Sequence, residues 1–140
     1  MKRIVIRPYK NVDYSPVILI LQEGDLYYES TDTQERLAEK VKRDPGSIMV
    51  ATLDQEVIGT VSIMEDGRMA FIFRLGVKGE HRRQGIGTKL MEEAERLLRN
   101  RDHEKIHILV KEEDEELQGY YDRHGYKEGG HYRWRYKELG

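Results

Sequence analysis

A chain of 140 residues has room for one domain with a modest core, residues 1–140, and not for two. Its 24 basic and 26 acidic side chains leave a formal charge of -2, which gives no electrostatic ground for a nucleic-acid partner, and the absence of cysteine removes disulfides, thiol nucleophiles and thiolate metal sites. The five histidines show no ligand spacing, and no apolar run, Met1 to Ile6 included, is long enough for a signal peptide or a membrane span, so a metal-free cytoplasmic protein without a membrane partner is expected.

Ile4 and Ile6, with the methylenes of Lys2, alternate with Arg3, Val5 and Arg7, which predicts a first strand ended by Pro8. Asn11 or Asp13 is placed to cap a helix carrying Val17, Ile18, Leu21 and Leu26 on its apolar side, with Pro16 in the first turn and Gly24 at its end. Residues 25–30 are less regular. A second helix starts at Thr31 or Thr33, turns Leu37 and Val41 inward among Glu35, Arg36, Glu39, Lys40 and Lys42, and stops at Pro45-Gly46. Residues 48–53 and 57–64 predict a hairpin about Asp54-Gln55-Glu56, and Asp66-Gly67 supplies the turn into a third strand over 68–77.

Next comes the glycine-rich stretch 77–88. Ile86, Leu90, Ala94, Leu97 and Leu98 then recur at helical spacing to about Arg99, with Asn100 suited to a left-handed end. Residues 105–110 are few and β-branched, which predicts a strand running parallel to 68–77 through a right-handed crossover. An acidic lead-in over 111–116 suits the start of a last helix, with Leu117, Tyr120, Tyr121 and His124 inward and Gly125 at its end. Tyr132, Trp134 and Tyr136 alternate with Arg133 and Arg135, a closing strand with one aromatic face. Aromatic rings among arginines can stack on RNA bases, but the period of two gives these rings a core face instead.

Strand, glycine turn and helix in succession make an anion site. The first turn of a helix leaves backbone N–H groups without intrahelical acceptors and carries the positive end of the dipole. Gly85 and Gly87 let a diphosphate approach the backbone, with Arg82, Arg83 and Lys89 adding positive charge. The spacing is neither the triphosphate loop nor the dinucleotide fingerprint.

Arg82-Arg83-Gln84-Gly85-Ile86-Gly87 resembles the R/Q-x-x-G-x-G/A signature of the GCN5-related N-acetyltransferase (GNAT) superfamily, and residues 114–126 are similar to that family's second block, N-x-x-A-x-x-hydrophobic-Y-x-x-x-G-F. Asp114 stands in place of Asn, Leu117 of Ala and Tyr126 of Phe. Residues 105–110 with Gly119-Tyr120-Tyr121 further resemble uncharacterised acetyltransferases related to the ribosomal-protein alanine acetyltransferases (RimI-like, YpeA-like). The resemblance implies an α/β fold, a central mixed sheet with about four flanking helices and splayed parallel central strands. It implies direct transfer of an acetyl group from acetyl-coenzyme A to a primary amine, a small molecule, an amino acid, or a protein N-terminus or lysine.

By the same resemblance, Arg82, Arg83, Gln84, Gly85, Ile86, Gly87 and Thr88 hold the diphosphate, while main-chain groups of Leu75, Gly76 and Val77 meet the acetyl oxygen and the pantetheine amides. Asp114 meets the arm, and Tyr121 protonates the departing thiolate. Phe71 occupies the position at which some relatives carry a glutamate base, so Glu65, Asp66, Glu29, His107, or no dedicated group, takes that task. The acceptor meets Tyr27, Tyr28, Glu65 and Arg74. An arginine inside an apolar strand needs a partner, either structural or a substrate carboxylate. A domain that only holds acetyl-coenzyme A as a sensor is the competing expectation. An incompletely covered sheet edge near the C-terminus leaves a homodimer open.

Overall fold

The computed structural model describes residues 3–140, so the methylenes of Lys2 lie outside the described residues. One compact unit runs to Ile108, and Leu109–Gly140 forms a second. The first contains β1 (Ile4–Pro8), α1 (Tyr14–Glu23), α2 (Gln34–Arg43), β2 (Ile48–Leu53), β3 (Glu56–Glu65), β4 (Ala70–Val77) and α3 (Ile86–Asn100). The four strands pair antiparallel in the order β1-β2-β3-β4. Asp54 (φ 49°) and Gln55 (φ 74°) are both left-handed, the two-residue turn whose twist matches a hairpin.

The sheet is covered on both faces. Gly59 pairs with Val77 and Thr60 with Gly76, and neighbouring pairs point to opposite sides. A Cβ on Gly59 would meet Leu90 and Ile86 of α3, whereas one on Gly76 would meet Ile20 of α1. On the α1 side, Val17, Ile18, Ile20 and Leu21 pack with Leu37 of α2 and with Ile48, Val50 and Val57 of the sheet. On the other, α3 buries Ile86, Leu90, Met91, Ala94 and Leu98. Among the described residues no helix is long and apolar enough to cross a membrane.

Local chemistry sets the ends of the helices. Thr33 Oγ1 accepts from Arg36 N at 3.2 Å and starts α2. Neither Asn11 nor Asp13 caps α1 through its side chain. The Asp13 carboxylate instead takes two bonds from the Arg7 guanidinium, at 2.8 and 2.9 Å, and one from Lys10 N at 2.8 Å, which ties β1 to the start of α1. Asn100 is the last residue of α3, and the left-handed residue after it is Asp102 (φ 66°).

Two expected strands do not form. Residues 105–108 contribute a single parallel bridge, His107 against Phe71, with Ile72 N to His107 O at 3.1 Å and His107 N to Ala70 O at 2.9 Å. The parallel direction is as expected; the ladder is one bridge long. Residues 127–140 form no regular element, and Tyr132, Trp134 and Tyr136 are 92, 76 and 81 % exposed. Alternation becomes a strand only against a paired neighbour. In this second unit α4 (Glu115–Arg123) is capped by Asp114 Oδ1, which accepts from Leu117 N at 3.1 Å, and Gly125 (φ 86°) follows its end. Tyr121 is buried, but His124, expected inward, is exposed.

An ion network joins three element ends in the first unit. Arg101, just past α3, bonds both oxygens of Asp44 beyond α2, at 2.7 and 2.9 Å, and Glu65 at the end of β3, at 2.9 Å. Hydrogen bonds from Arg101 hold both carboxyls below the usual carboxylate range, Gly67 N and His103 adding to the effect at Glu65. Depressed folded-state values stabilise the fold above the unfolded carboxylate range of about pH 4–4.5 and lose that effect as pH falls below it. Arg101→Met is therefore expected to lower the urea midpoint at pH 7 and to lose less than wild type between pH 5 and pH 3; parallel acid limbs would contradict the assignment.

Candidate functional site

The site begins with an irregularity in β4. Thr60 pairs with Gly76 and Ser62 with Phe73, so Val61 alone stands opposite Arg74 and Leu75. This is a β-bulge, which takes an extra residue out of the ladder and bends the strand. It also puts Phe73 and Gly76, three positions apart, on one face. Gly76 fits there because α1 passes close: a Cβ would lie 2.9 Å from Ile20 Cγ2.

Arg74 holds the bulge with φ 53°, a left-handed conformation that costs a non-glycine residue about 1 kcal/mol. Its Nε donates to Asp32 Oδ1 at 2.9 Å, and its guanidinium lies 5.5 Å from the Tyr28 ring centroid and 5.7 Å from that of Phe73. Asp32 is buried and also accepts from Tyr28 N at 2.8 Å, while its carbonyl accepts from the Tyr14 hydroxyl at 2.8 Å. The partner of Arg74 is therefore internal. Tyr28 lies exposed over this pair, whereas Tyr27 packs against the core under α1.

Between α1, α2 and the sheet lies a cavity of about 160 Å³, floored by Thr60, Ser62 and Phe73 and edged by Asp32 and Arg74. Two residues of α2 that the sequence pattern placed on a solvated face, Arg36 and Lys40, also line it. Lys40 is partly buried, donates to Ile63 O at 2.6 Å and sits 5.2 Å from the Phe73 ring centroid. Burial lowers its pKa from the ordinary lysine value. The signal for it was the i, i+4 step Arg36–Lys40, in phase with Leu37–Val41. Asp32 had no such signal.

β4 leads through a turn into α3. Gly85 occupies the N-cap with φ 81° and no side-chain cap, and the first turn of α3 contains no acidic residue. Lys89 N donates to Gly85 O at 3.1 Å, and the N–H groups of the first turn before it, such as those of Ile86 and Gly87, are the ones a helix leaves without an i−4 carbonyl of its own. A Cβ on Gly85 would meet nothing within 4 Å, so the approach to these amides is open. Arg82 Nε donates to Val77 O at 3.1 Å, fastening the turn to the strand end, with a longer 3.7 Å pairing to Glu23. Arg83 (φ 64°) and Gln84 are exposed at the turn. The arrangement suits a diphosphate on the helix N-terminus.

The carboxylates weighed as bases near β4 are engaged elsewhere. Glu65 accepts from Arg101, His103 and Gly67 N, which fits it for an ion network rather than for an acceptor amine. Asp66 Oδ1 accepts from Arg68 N at 2.9 Å and Met69 N at 2.8 Å, backbone bonds that lower its pKa. His107 lies with its ring 5.2 Å from that of Phe71. In the second unit, the buried Tyr121 ring sits edge-on to Tyr120 and Tyr126, and burial pushes its phenol up to about 12.

Comparison with known proteins bears on this geometry. The profile of the acetyltransferase (GNAT) family matches residues 15–126. The chain is 30% identical over 122 residues to the acetyltransferase ECA0875 of Pectobacterium atrosepticum, covering 87% of this chain and 86% of the relative. Among solved structures, Ard1 from Thermoplasma volcanium superposes with TM-score 0.77 at 25% identity over 87% of this chain and 81% of that one. The PaiA N-acetyltransferase of Thermoplasma acidophilum, solved with coenzyme A, gives 0.78 at 21% identity over 89% and 90%. Relatives this varied point to a family rather than to one subgroup within it.

Asp32→Ala would leave the guanidinium of Arg74, only 22 % exposed, without its carboxylate at a strained backbone position. A loss of about 2–3 kcal/mol in urea unfolding is expected. A change within about 0.5 kcal/mol, the range of ordinary surface substitutions, would show that the pair does not hold the bulge.

Proposed function

The chain belongs to the acetyltransferase (GNAT) family, and from that premise we propose that it is an N-acetyltransferase moving an acetyl group from acetyl-coenzyme A to a primary amine. The observation that carries this reading is the succession, in one compact unit, of a bulged strand and an uncapped helix N-terminus behind a left-handed glycine. The family match spans residues of both units, which supports reading 1–140 as one domain.

The amides of Ile86, Gly87 and Thr88 receive the diphosphate, with Arg82, Arg83 and Gln84 at the turn and Gly85 giving access. Along β4, Leu75 and Val77 offer main-chain groups to the pantetheine amides, and an N–H near Leu75 or Gly76 polarises the thioester oxygen. Asp114 acts on the arm as an acceptor only, because a carboxylate cannot donate as an asparagine would.

In the reaction a neutral amine nitrogen attacks the thioester carbonyl carbon. The C–N bond forms, the C–S bond breaks, the amine proton passes to water and the sulfur takes the proton of Tyr121, which solvent restores. A phenol with its pKa near 12 stays protonated at neutral pH and suits a donor better than a base. With Glu65 and Asp66 held by other partners, the amine enters neutral or loses its proton through water. Phe71 at the position of the usual base favours a second reading, a domain that holds acetyl-coenzyme A without turnover.

The test is release of free thiol from acetyl-coenzyme A across a panel of amines, amino acids and peptides, with affinity for the coenzyme followed in parallel. Tyr121→Phe is expected to lower kcat by about 10²-fold or more with that affinity retained. Unchanged kcat would remove Tyr121 from the chemistry, and binding without turnover on any acceptor would favour the sensor.

A further inference from the structure

The charges lining the α1–α2 cavity do not balance. Its cations are Arg36, Lys40 and Arg74, and its one carboxylate, Asp32, is bonded to Arg74. Among the described residues neither Arg36 nor Lys40 has a carboxylate within ion-pair distance, and the one hydrogen bond of the Lys40 ammonium goes to a neutral carbonyl. An ammonium carries three donors and a guanidinium five, so the wall keeps donor capacity and two positive charges. Burial that lowers the pKa of Lys40 has the physical cause that an anion beside it would offset.

Apolar side chains make up most of the remaining wall, Val17 and Leu21 of α1, Leu37 of α2, and Ile48 and Phe73 of the sheet, with the neutral hydroxyls of Thr31, Thr60 and Ser62 beside them. Its volume of about 160 Å³ is close to the ~150 Å³ cavity that holds a benzene. It takes a molecule of amino-acid size, not a length of peptide. Phe73 and Arg74 in its wall immediately precede Leu75, Gly76 and Val77, so a molecule seated here has one end beside the bulge.

Resting on the acetyltransferase reading, we propose that the acceptor is a small amine with an apolar stem and a carboxylate, the carboxylate seated on Arg36 and Lys40 and the amine directed toward the β4 bulge. A diamine places a second ammonium against two cations and is disfavoured. A carboxylate amine gains charge-assisted hydrogen bonds worth about tenfold or more in affinity over its neutral analogue. Arg74, the arginine that stands out in the sequence, is not the anchor, because Asp32 already occupies it.

The experiment titrates 4-aminobutanoate, butylamine and 1,4-diaminobutane, with matched stems, into the full chain with and without coenzyme A, following amide shifts by NMR. The carboxylate amine is expected to bind at least tenfold tighter than butylamine, with the diamine weakest and the shifts centred on α2 and Phe73. Arg36→Gln, at an exposed position, and Lys40→Met, of similar shape, are each expected to collapse the difference, with melting curves confirming the fold. Equal or tighter binding of butylamine or the diamine, no binding by any of the three, or a preference that survives both substitutions overturns the proposal. If coenzyme A fails to bind, the acetyltransferase reading falls, while the binding order of the three amines still decides this one.

Discussion

The bulge at Arg74 and Leu75 is the constraint on which the first unit depends. It places Arg74, a non-glycine residue, in the left-handed region, and that conformation persists because Asp32 holds the guanidinium while Tyr28 and Phe73 lie beside it. Its effect is one of phase. Without the extra residue, Phe73 and Gly76 would face opposite sides of the sheet. With it, both face α1, so the strand presents a ring to the cavity and then a glycine where the helix comes too close for a side chain.

The same strand connects two kinds of chemistry. Toward its middle, on the α1–α2 side, it borders a small cavity with cationic walls. At its end it runs through the Arg82 turn into α3, whose N-cap is a left-handed glycine with no side-chain cap. A helix N-terminus attracts anions through fixed dipoles, and a bulged strand offers main-chain groups that no neighbouring strand takes up. Neither feature needs a reactive side chain, which fits a transfer made by positioning two substrates rather than by a covalent enzyme intermediate.

Features dictated by local chemistry were legible in the residues. The hairpin at Asp54-Gln55, the cap at Thr33, the glycine before α3 and the apolar stripe of that helix each follow from a few neighbouring positions. Those that depend on distant partners were not. The alternation at Tyr132, Trp134 and Tyr136 reads as a strand, but residues 127–140 form no regular element and the rings are exposed, since alternation alone does not make a strand. Residues 105–110 have the composition of a strand and yield one bridge at His107. Arg74 stood out as anomalous, yet its partner, Asp32, is 42 positions away and carries no periodic signal. Lys40 read as solvated by its charge despite its phase with Leu37 and Val41, and the packing of α2 over Phe73 shows that it lines a cavity.

The central claim is that the backbone amides at the start of α3 receive the diphosphate of acetyl-coenzyme A. The most direct measurement is a titration of ¹⁵N-labelled protein with acetyl-coenzyme A, following the backbone amides one by one. The account predicts that Ile86, Gly87 and Thr88 show the largest downfield shifts, with Leu75 to Val77 next, and that inorganic pyrophosphate reproduces only the first group. Saturable binding that leaves Ile86, Gly87 and Thr88 unmoved, or no binding at all, would contradict it.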